Sequence, residues 1–471
     1  MIDARRLQRT FGDGFVADAV PAWQEAWMPH ADTILDDDHL VSVVYEALAT
    51  RHPQSRTRGR RGAPAEMVLR LLVLKHLRNW SYATLEREVR TNLVYRAFTR
   101  VGGEPVPDAK TMGRWGVAVR PEVVETVHRR LIAIAHDAGV VEGRQMRVDT
   151  TVVETNIHYP TDSSLLGDGV RVLTRTMKKV TAIAGKVGAI LRDRHRSVQR
   201  RLWEIGRIAR SKGAQRQEKL TRAYQQLLSA TSRVVGQAKR FSREISAGVK
   251  GTVDVLSQAA LAGLRQELDT IVPRVQQVIG QTRARIFGGD THAEGKLLSL
   301  FEPSTEVIRK GKAGKPNEFG KLVKLQEAEQ QIITEYVVYE TRPSDADLLL
   351  PAIAAHEQTF GRVPRLVAAD AAFYSAANEA AAHQAGVTRV CIPNRATKSA
   401  ERKREQKKRW FKNGQTWRTG CEGRISVVKR RHGLNRSRYK GDDGMKRWVG
   451  FGVIADNLIN IGRVLATRSR P

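Results

Sequence analysis

The chain has 471 residues, of which 41% are hydrophobic, and 80 Lys+Arg against 49 Asp+Glu leave a net charge of +31. That length predicts two to four domains, and that charge predicts an anionic partner, nucleic acid before an anionic membrane surface. Uninterrupted apolar runs stay short of a bilayer span, and the two cysteines, Cys391 and Cys421, form no CxxC pair, which argues against a secretory, disulfide-built or Cys-zinc protein.

Residues 1–60 read as short helices and loops, with SRTRGRR (55–61) a basic turn. A helical segment follows. MVLRLLVLKHL (67–77) has apolar residues at helical spacing, and Ser81 is placed to cap SYATLEREVRTN. Asp108 is placed to cap DAKTMGRWGVAV, which carries Lys110 and Arg114, and VVETVHRRLIAIAHDAG (123–139) closes the segment. Short helices with basic residues on one of them suit a helix-turn-helix reader of DNA, with Lys110 and Arg114 as contacts; a plain helical bundle is the alternative.

After Gly143 the pattern changes to QMRVDTTVVETNI, a β-branched strand around Asp149. A long stretch of helical periodicity follows, read as two or three long helices. Residues 171–250 hold 21 Lys/Arg against 4 acids, net +17, more than solubility calls for and suited to a phosphate backbone. Strand patterns return at STEVIRKG, KLVKLQEAEQ and IITEYVVYE, with GKAGKPNEFG a glycine-rich turn among them. DADLLLPAIAAHEQTFG is a helix with Ser344 or Asp345 as its cap. PRLVAAD is a short strand ending on Asp370, SAANEAAAHQAG a helix and VTRVCIP a strand. ATKSAERKREQKKRWFKNG is a basic loop or short helix. Residues 416–432 form a helix containing Glu422, and MKRWVGFGVIADNLINIGRVLA is a terminal amphipathic helix.

With the basic block set aside, strands come first, followed by helix, strand, helix, strand, helix. That order fits an α/β ribonuclease-H-like fold, a mixed sheet flanked by helices. The expected layout is an N-terminal all-helical domain at 1–140, the sheet domain at 141–165 and 291–471, and a basic helical insertion at 166–290, after the first strand. Asp149 falls on the first strand, Asp370 at the end of a later one and Glu422 on a helix. Carboxylates so placed suit metal-dependent phosphoryl transfer, in which two divalent cations neutralise developing charge and activate water or a 3′-hydroxyl. Taken singly, each is also an ordinary turn, cap or ion-pair residue. Arg418 and Lys429, four before and seven after Glu422, share its helical face.

VDTTVVETNIHYPTDSSLL, LVAADAAFYS and the long run WRTGCEGRISVVKRRHGLNRSRYKGDDGMKRWVGFGVIADNLINIGR resemble the bacterial insertion-sequence transposases of the Asp–Asp–Glu (DDE) type. The helical segment 63–120 is similar to their N-terminal domain. The resemblance implies that Asp149, Asp370 and Glu422 are catalytic and bind two ions, Mg2+ or Mn2+. It implies that Arg418 and Lys429 belong to a Tyr/Arg/Glu/Lys signature that grips DNA, with Arg430 and Arg431 beside them; Gln415 stands where that Tyr is expected. His158 and Tyr159 would line the site or pack in a loop, and Trp417 and Trp448 would stack on bases or lie in the core. The activity implied is binding of terminal inverted repeats, strand cleavage and strand transfer to target DNA. A homodimer or larger synaptic assembly, a cytoplasmic, nucleoid-associated location and no membrane go with it. The alternatives are a non-catalytic DNA-binding derivative, such as a decayed transposase or a repressor-like protein, and a nuclease that cuts without joining. If Glu422 pointed away from the two aspartates, Glu379 is the acid expected to replace it.

Overall fold

The computed structural model describes residues 1–6, 20–52, 54–58, 62–184, 190–248, 254–291, 294–309 and 317–469. The end of the basic turn (59–61) and most of the glycine-rich turn (311–316) lie outside the described residues. The chain forms two compact units, residues 1–156 with 307–471, and residues 157–306.

The first unit begins with helices α1 (Met28–Leu35), α2 (Asp38–Ala49), α3 (Ala65–Leu77), α4 (Tyr82–Thr91), α5 (Leu93–Phe98), α6 (Ala109–Ala118) and α7 (Pro121–Asp137). The expected caps are present. Ser81 Oγ accepts from the Thr84 amide at 3.0 Å, and Asp108 accepts from the amides of Lys110 and Thr111, both at 2.9 Å. Each satisfies donors that a helix start leaves open. Helix α3 is buried on every side, including Arg70, Lys75 and His76. The buried Arg70 guanidinium is paired with Asp32 at 2.6 Å and Asp36 at 2.7 Å, which offsets its loss of hydration.

Among the described residues Lys75 has no such carboxylate partner. Its ammonium stands 4.7–5.0 Å from the ring centroids of Tyr82, Tyr439 and Trp448. Burial, with repulsion from Arg438, pushes its pKa down from 10.5 to about 7; the three ring faces act the other way, favouring the ammonium. Between about pH 7 and the ordinary lysine value the unfolded chain therefore holds the extra proton. This group makes stability rise with pH in that window. Thermal unfolding of Lys75→Met across pH 7 to 10 is expected to show a flatter pH dependence than the parent chain. An unchanged pH slope would refute the assignment.

Six strands form one sheet: β1 (Gln145–Glu154), β2 (Glu306–Arg309), β3 (Asn317–Glu327), β4 (Ile333–Val338), β5 (Leu366–Ala369) and β6 (Arg389–Cys391). The order runs β2-β3-β1-β5-β6, and β4 also pairs with β3. β1 is antiparallel to β3 and parallel to β5, and β5 is parallel to β6, so the sheet is mixed. The helices of this half are α12 (Leu349–Phe360), α13 (Ala376–Gln384), α14 (Ala400–Lys407), α15 (Arg409–Arg431) and α16 (Gly441–Arg468), numbered to leave α8–α11 for the second unit.

Three details differ from the sequence expectation. The helix that carries Glu422 starts at Arg409, seven residues earlier than the predicted 416; of the two readings of the basic segment before it, loop or short helix, the helix holds, with Ser399 capping α14. Neither Ser344 nor Asp345 caps through its side chain; a 3-10 turn, Asp345–Leu348, precedes α12, and Asp345 instead accepts from the Thr150 hydroxyl at 3.0 Å. The terminal helix α16 is long and apolar enough to cross a membrane by length and composition, yet 72% of its most apolar window is buried in the fold, as in a core helix. Its Asn457 reads the backbone of β4 at one residue, accepting from the Ile333 amide at 2.9 Å and donating to its carbonyl at 2.8 Å.

The second unit contains, among the described residues, four helices rather than the two or three expected: α8 (Asp162–Ala184), α9 (His195–Arg210), α10 (Arg216–Ser246) and α11 (Val255–Phe287). The fourth begins at Asp254, whose carboxylate accepts from the Ser257 amide, and it continues through Pro273. All four contribute to one apolar core that includes Leu173, Val198, Leu227, Phe241, Leu268 and Val275.

Candidate active site

The strand register places the two aspartates. Val148 on β1 pairs with Ala369 on β5, and both are buried in the same apolar cluster under one face of the sheet. Asp149 and Asp370 are the next residues on these parallel neighbours. Side chains alternate along a strand, so both carboxylates turn to the opposite face, on chains separated by roughly 5 Å. Asp149 accepts from the Thr150 amide at 2.7 Å, and Asp370 from the Ala371 amide at 2.5 Å as the cap of a 3-10 turn.

Helix α15 covers that opposite face. Phe411 packs with Ala368 of β5 and Cys391 of β6. A Cβ at Gly414 would fall 2.6 Å from the Cys391 sulfur, and one at Gly420 would collide with the Arg147 guanidinium. Glycine at these two positions is what lets the helix sit this close to the sheet. Gln415, the departure from the family signature, donates to the Cys391 carbonyl at 2.7 Å and so pins α15 to the strand edge.

Arg418 is the cation that all three acids attract. Its guanidinium donates to Glu422 at 2.8 Å and lies 3.9 Å from Asp149. Burial works against its charge. The hydrogen bond it donates to Glu422 and the attraction of Glu422, Asp149 and Asp370 outweigh that, and its pKa is raised. Glu422 itself is exposed, with 59% of its side chain accessible, against 16% for Asp149. Glu379 is engaged elsewhere, by Arg402.

The donor set is three carboxylates, hard oxygen ligands of the kind magnesium and manganese take. Among the described residues no group of three or more His, Cys, Asp and Glu is already close enough to hold a metal ion. The residues fit a divalent cation by chemistry and by the adjacency of Asp149 and Asp370. Arg418 is meanwhile the positive charge among them, and Glu422 is hydrogen-bonded to it.

Beneath α15 lies an ionic network that the sequence did not disclose. Arg147, Glu327, Arg424 and Asp456 are all buried. Arg147 pairs with Glu327 and also donates to the Trp417 carbonyl. Arg424 pairs with Asp456 at 2.8 Å and faces Glu327 at 3.8 Å. Burial pushes the Glu327 carboxyl up to about 7, against the pull of Arg147 and Arg424. The available signal was the two charged residues at alternate positions of RVD: Arg147 and Asp149 share a face, so the helix that receives one receives the other.

The remaining site candidates divide as follows. Lys110 and Arg114 are exposed on α6, and Arg430 and Arg431 are exposed in the last turn of α15; Lys429 is partly buried there. Trp448 is in the core, its indole donating to the Gly433 carbonyl at 2.9 Å, so of its two expected roles the packing one holds. Trp417 is partly buried with the Arg147 guanidinium 4.9 Å from its ring centre. His158 faces Asp168 at 3.6 Å within the second unit, and Tyr159 is exposed. Both cysteines are free and buried.

Residues 27–116 match a family described as a transposase domain (DUF772), and residues 379–462 match a family described as a transposase DDE domain. The second match contains Glu422, Arg418 and the whole of α15; the first contains Lys110, Arg114 and all but the last two residues of α6. No curated protein and no solved structure matches the chain. A transposase domain matched in the N-terminal helices and a DDE domain matched across the Glu422 helix together support an insertion-sequence transposase of the DDE type.

Proposed function

We propose that the protein binds the terminal inverted repeats of its own element, hydrolyses a phosphodiester at each end and joins the freed 3′-hydroxyl to target DNA. The observation that carries this reading is the register of β1 and β5. It sets Asp149 beside Asp370 under the Arg418–Glu422 pair, on a chain of net charge +31. The strand order around them, with β1 between β3 and β5, supports a ribonuclease-H-like core. On this reading residues 1–140 form a DNA-binding domain, 141–165 with 291–471 the catalytic domain and 166–290 a basic helical insertion.

Asp149 and Asp370 would hold two divalent ions, Mg2+ or Mn2+, with Glu422 completing the set. When bound, such ions neutralise charge on the reacting phosphate and activate water or the 3′-hydroxyl. The chain's own residues do the rest. The fixed backbone bonds at Thr150 and Ala371 orient the two aspartates before DNA arrives. Arg418 offsets part of the negative charge of the three acids in the free protein, and its guanidinium is of the kind that binds phosphate through paired donors. Lys429, Arg430 and Arg431 extend that grip along the backbone, and Lys110 and Arg114 make a second contact from α6. Joining two ends calls for a homodimer or larger synaptic assembly, working in the cytoplasm on nucleoid DNA.

The test is strand transfer with pre-cut, 3′-hydroxyl repeat ends, purified full-length protein and Mg2+ or Mn2+. Joined products are expected. Cleavage of uncut ends without joining would make the protein a nuclease only. Binding with neither reaction would leave the non-catalytic, decayed or repressor-like derivative.

A further inference from the structure

Helix α9 (His195–Arg210) carries its apolar residues Val198, Ile205 and Ile208 into the core of the second unit. On another face Arg196, Arg200, Trp203, Arg207 and Arg210 follow one another at steps of four and three, the spacing that aligns side chains in a single row. All five are exposed, and Trp203 is 79% accessible. Among the described residues none of the four arginines has a carboxylate partner. Glu204, the acid of this helix, is held by Arg201 at 2.7 Å, off the row.

A tryptophan left this far in water gives up the burial that its large apolar surface would gain, and a row of uncompensated arginines repels itself. An anionic partner with flat aromatic groups relieves both at once. We propose that this row is a docking surface for distorted DNA, with the arginines on consecutive backbone phosphates and the Trp203 indole stacked on a base that is unpaired or unstacked. The transposase reading enters only in naming DNA as the partner. A plain duplex satisfies the arginines but offers Trp203 no open base face, so the row favours an opened strand end or a helix with a base displaced.

The experiment compares full-length protein and its variants on a labelled duplex and on the same duplex with one unpaired fluorescent purine, across a salt series. Trp203→Ala is expected to weaken binding to the unpaired substrate by about tenfold. It should leave the plain duplex within about twofold, and Trp203→Phe should restore most of the loss. The double change Arg200→Gln/Arg207→Gln should reduce the slope of log affinity against log salt by about two. Stacking itself is read in the purine fluorescence, which Trp203 should quench. If Trp203→Ala binds both substrates as the parent does, or the arginine change leaves the slope intact, the inference fails while strand transfer by the same variants keeps the transposase reading standing. Loss of binding to anionic vesicles, with DNA binding unchanged, would assign the row to a membrane surface instead. Absence of any DNA binding by the parent chain would overturn both readings.

Discussion

Replacing Asp149, Asp370 or Glu422 singly by alanine is expected to lower metal-dependent cleavage of repeat-bearing DNA by about a thousandfold or more, because each removal takes away several kcal/mol of stabilisation at the reacting phosphate. DNA binding by each variant should survive, since the acids contribute repulsion rather than attraction to a polyanion. The three losses need not be equal. Asp149 and Asp370 are half-enclosed and fixed by backbone amides, whereas Glu422 is exposed and hydrogen-bonded to Arg418. A band-shift assay run beside the cleavage assay separates the two effects. Parent-level cleavage in any one variant would remove that residue from the mechanism.

The second large effect is structural. Glu327→Ala would leave the guanidinium of Arg147 without its ion-pair partner and take from Arg424 one of its two carboxylates, in an interior that excludes water. Removing one member of a buried charge pair typically costs about 3–5 kcal/mol, much of a domain's net stability. The denaturation midpoint should fall accordingly. Glu327→Gln keeps an acceptor for Arg147 and should lose less. Because Arg147 also holds the carbonyl of Trp417, the residue just before Arg418, the alanine variant should lose cleavage as well as stability. A midpoint unchanged from the parent would show that the network does not seat the helix.

Much of the candidate site was legible from local pattern. β-branched residues around Asp149 and the apolar run before Asp370 mark strands by composition, and an acid at a strand end is visible without a structure. The four-residue step from Arg418 to Glu422 likewise reads directly as one helical face. The parts that escaped depend on contacts distant in sequence. The start of α15 at Arg409 follows from packing on β5 and β6, which a run of basic residues readable as loop or short helix does not disclose. The burial of α3 on all sides reflects helices and a C-terminal segment that surround it, and Lys75 is enclosed by Tyr82 from the next helix and by Tyr439 and Trp448 from more than 350 residues on. Likewise no local pattern separates a buried Arg147 or Arg424 from the many arginines on the surface. The side of the sheet on which Asp149 and Asp370 meet comes only from the pairing of Val148 with Ala369.

Acids from positions 149, 370 and 422 are expected to serve one metal site. Fe2+ substituted for Mg2+ generates hydroxyl radicals, with peroxide and ascorbate, that cut the backbone next to the bound ion. With repeat-end DNA present, cuts should cluster near residues 149, 370 and 422 and be lost in the Asp149→Asn/Asp370→Asn double variant. Cuts elsewhere in the chain, or an unchanged pattern in that variant, would contradict it.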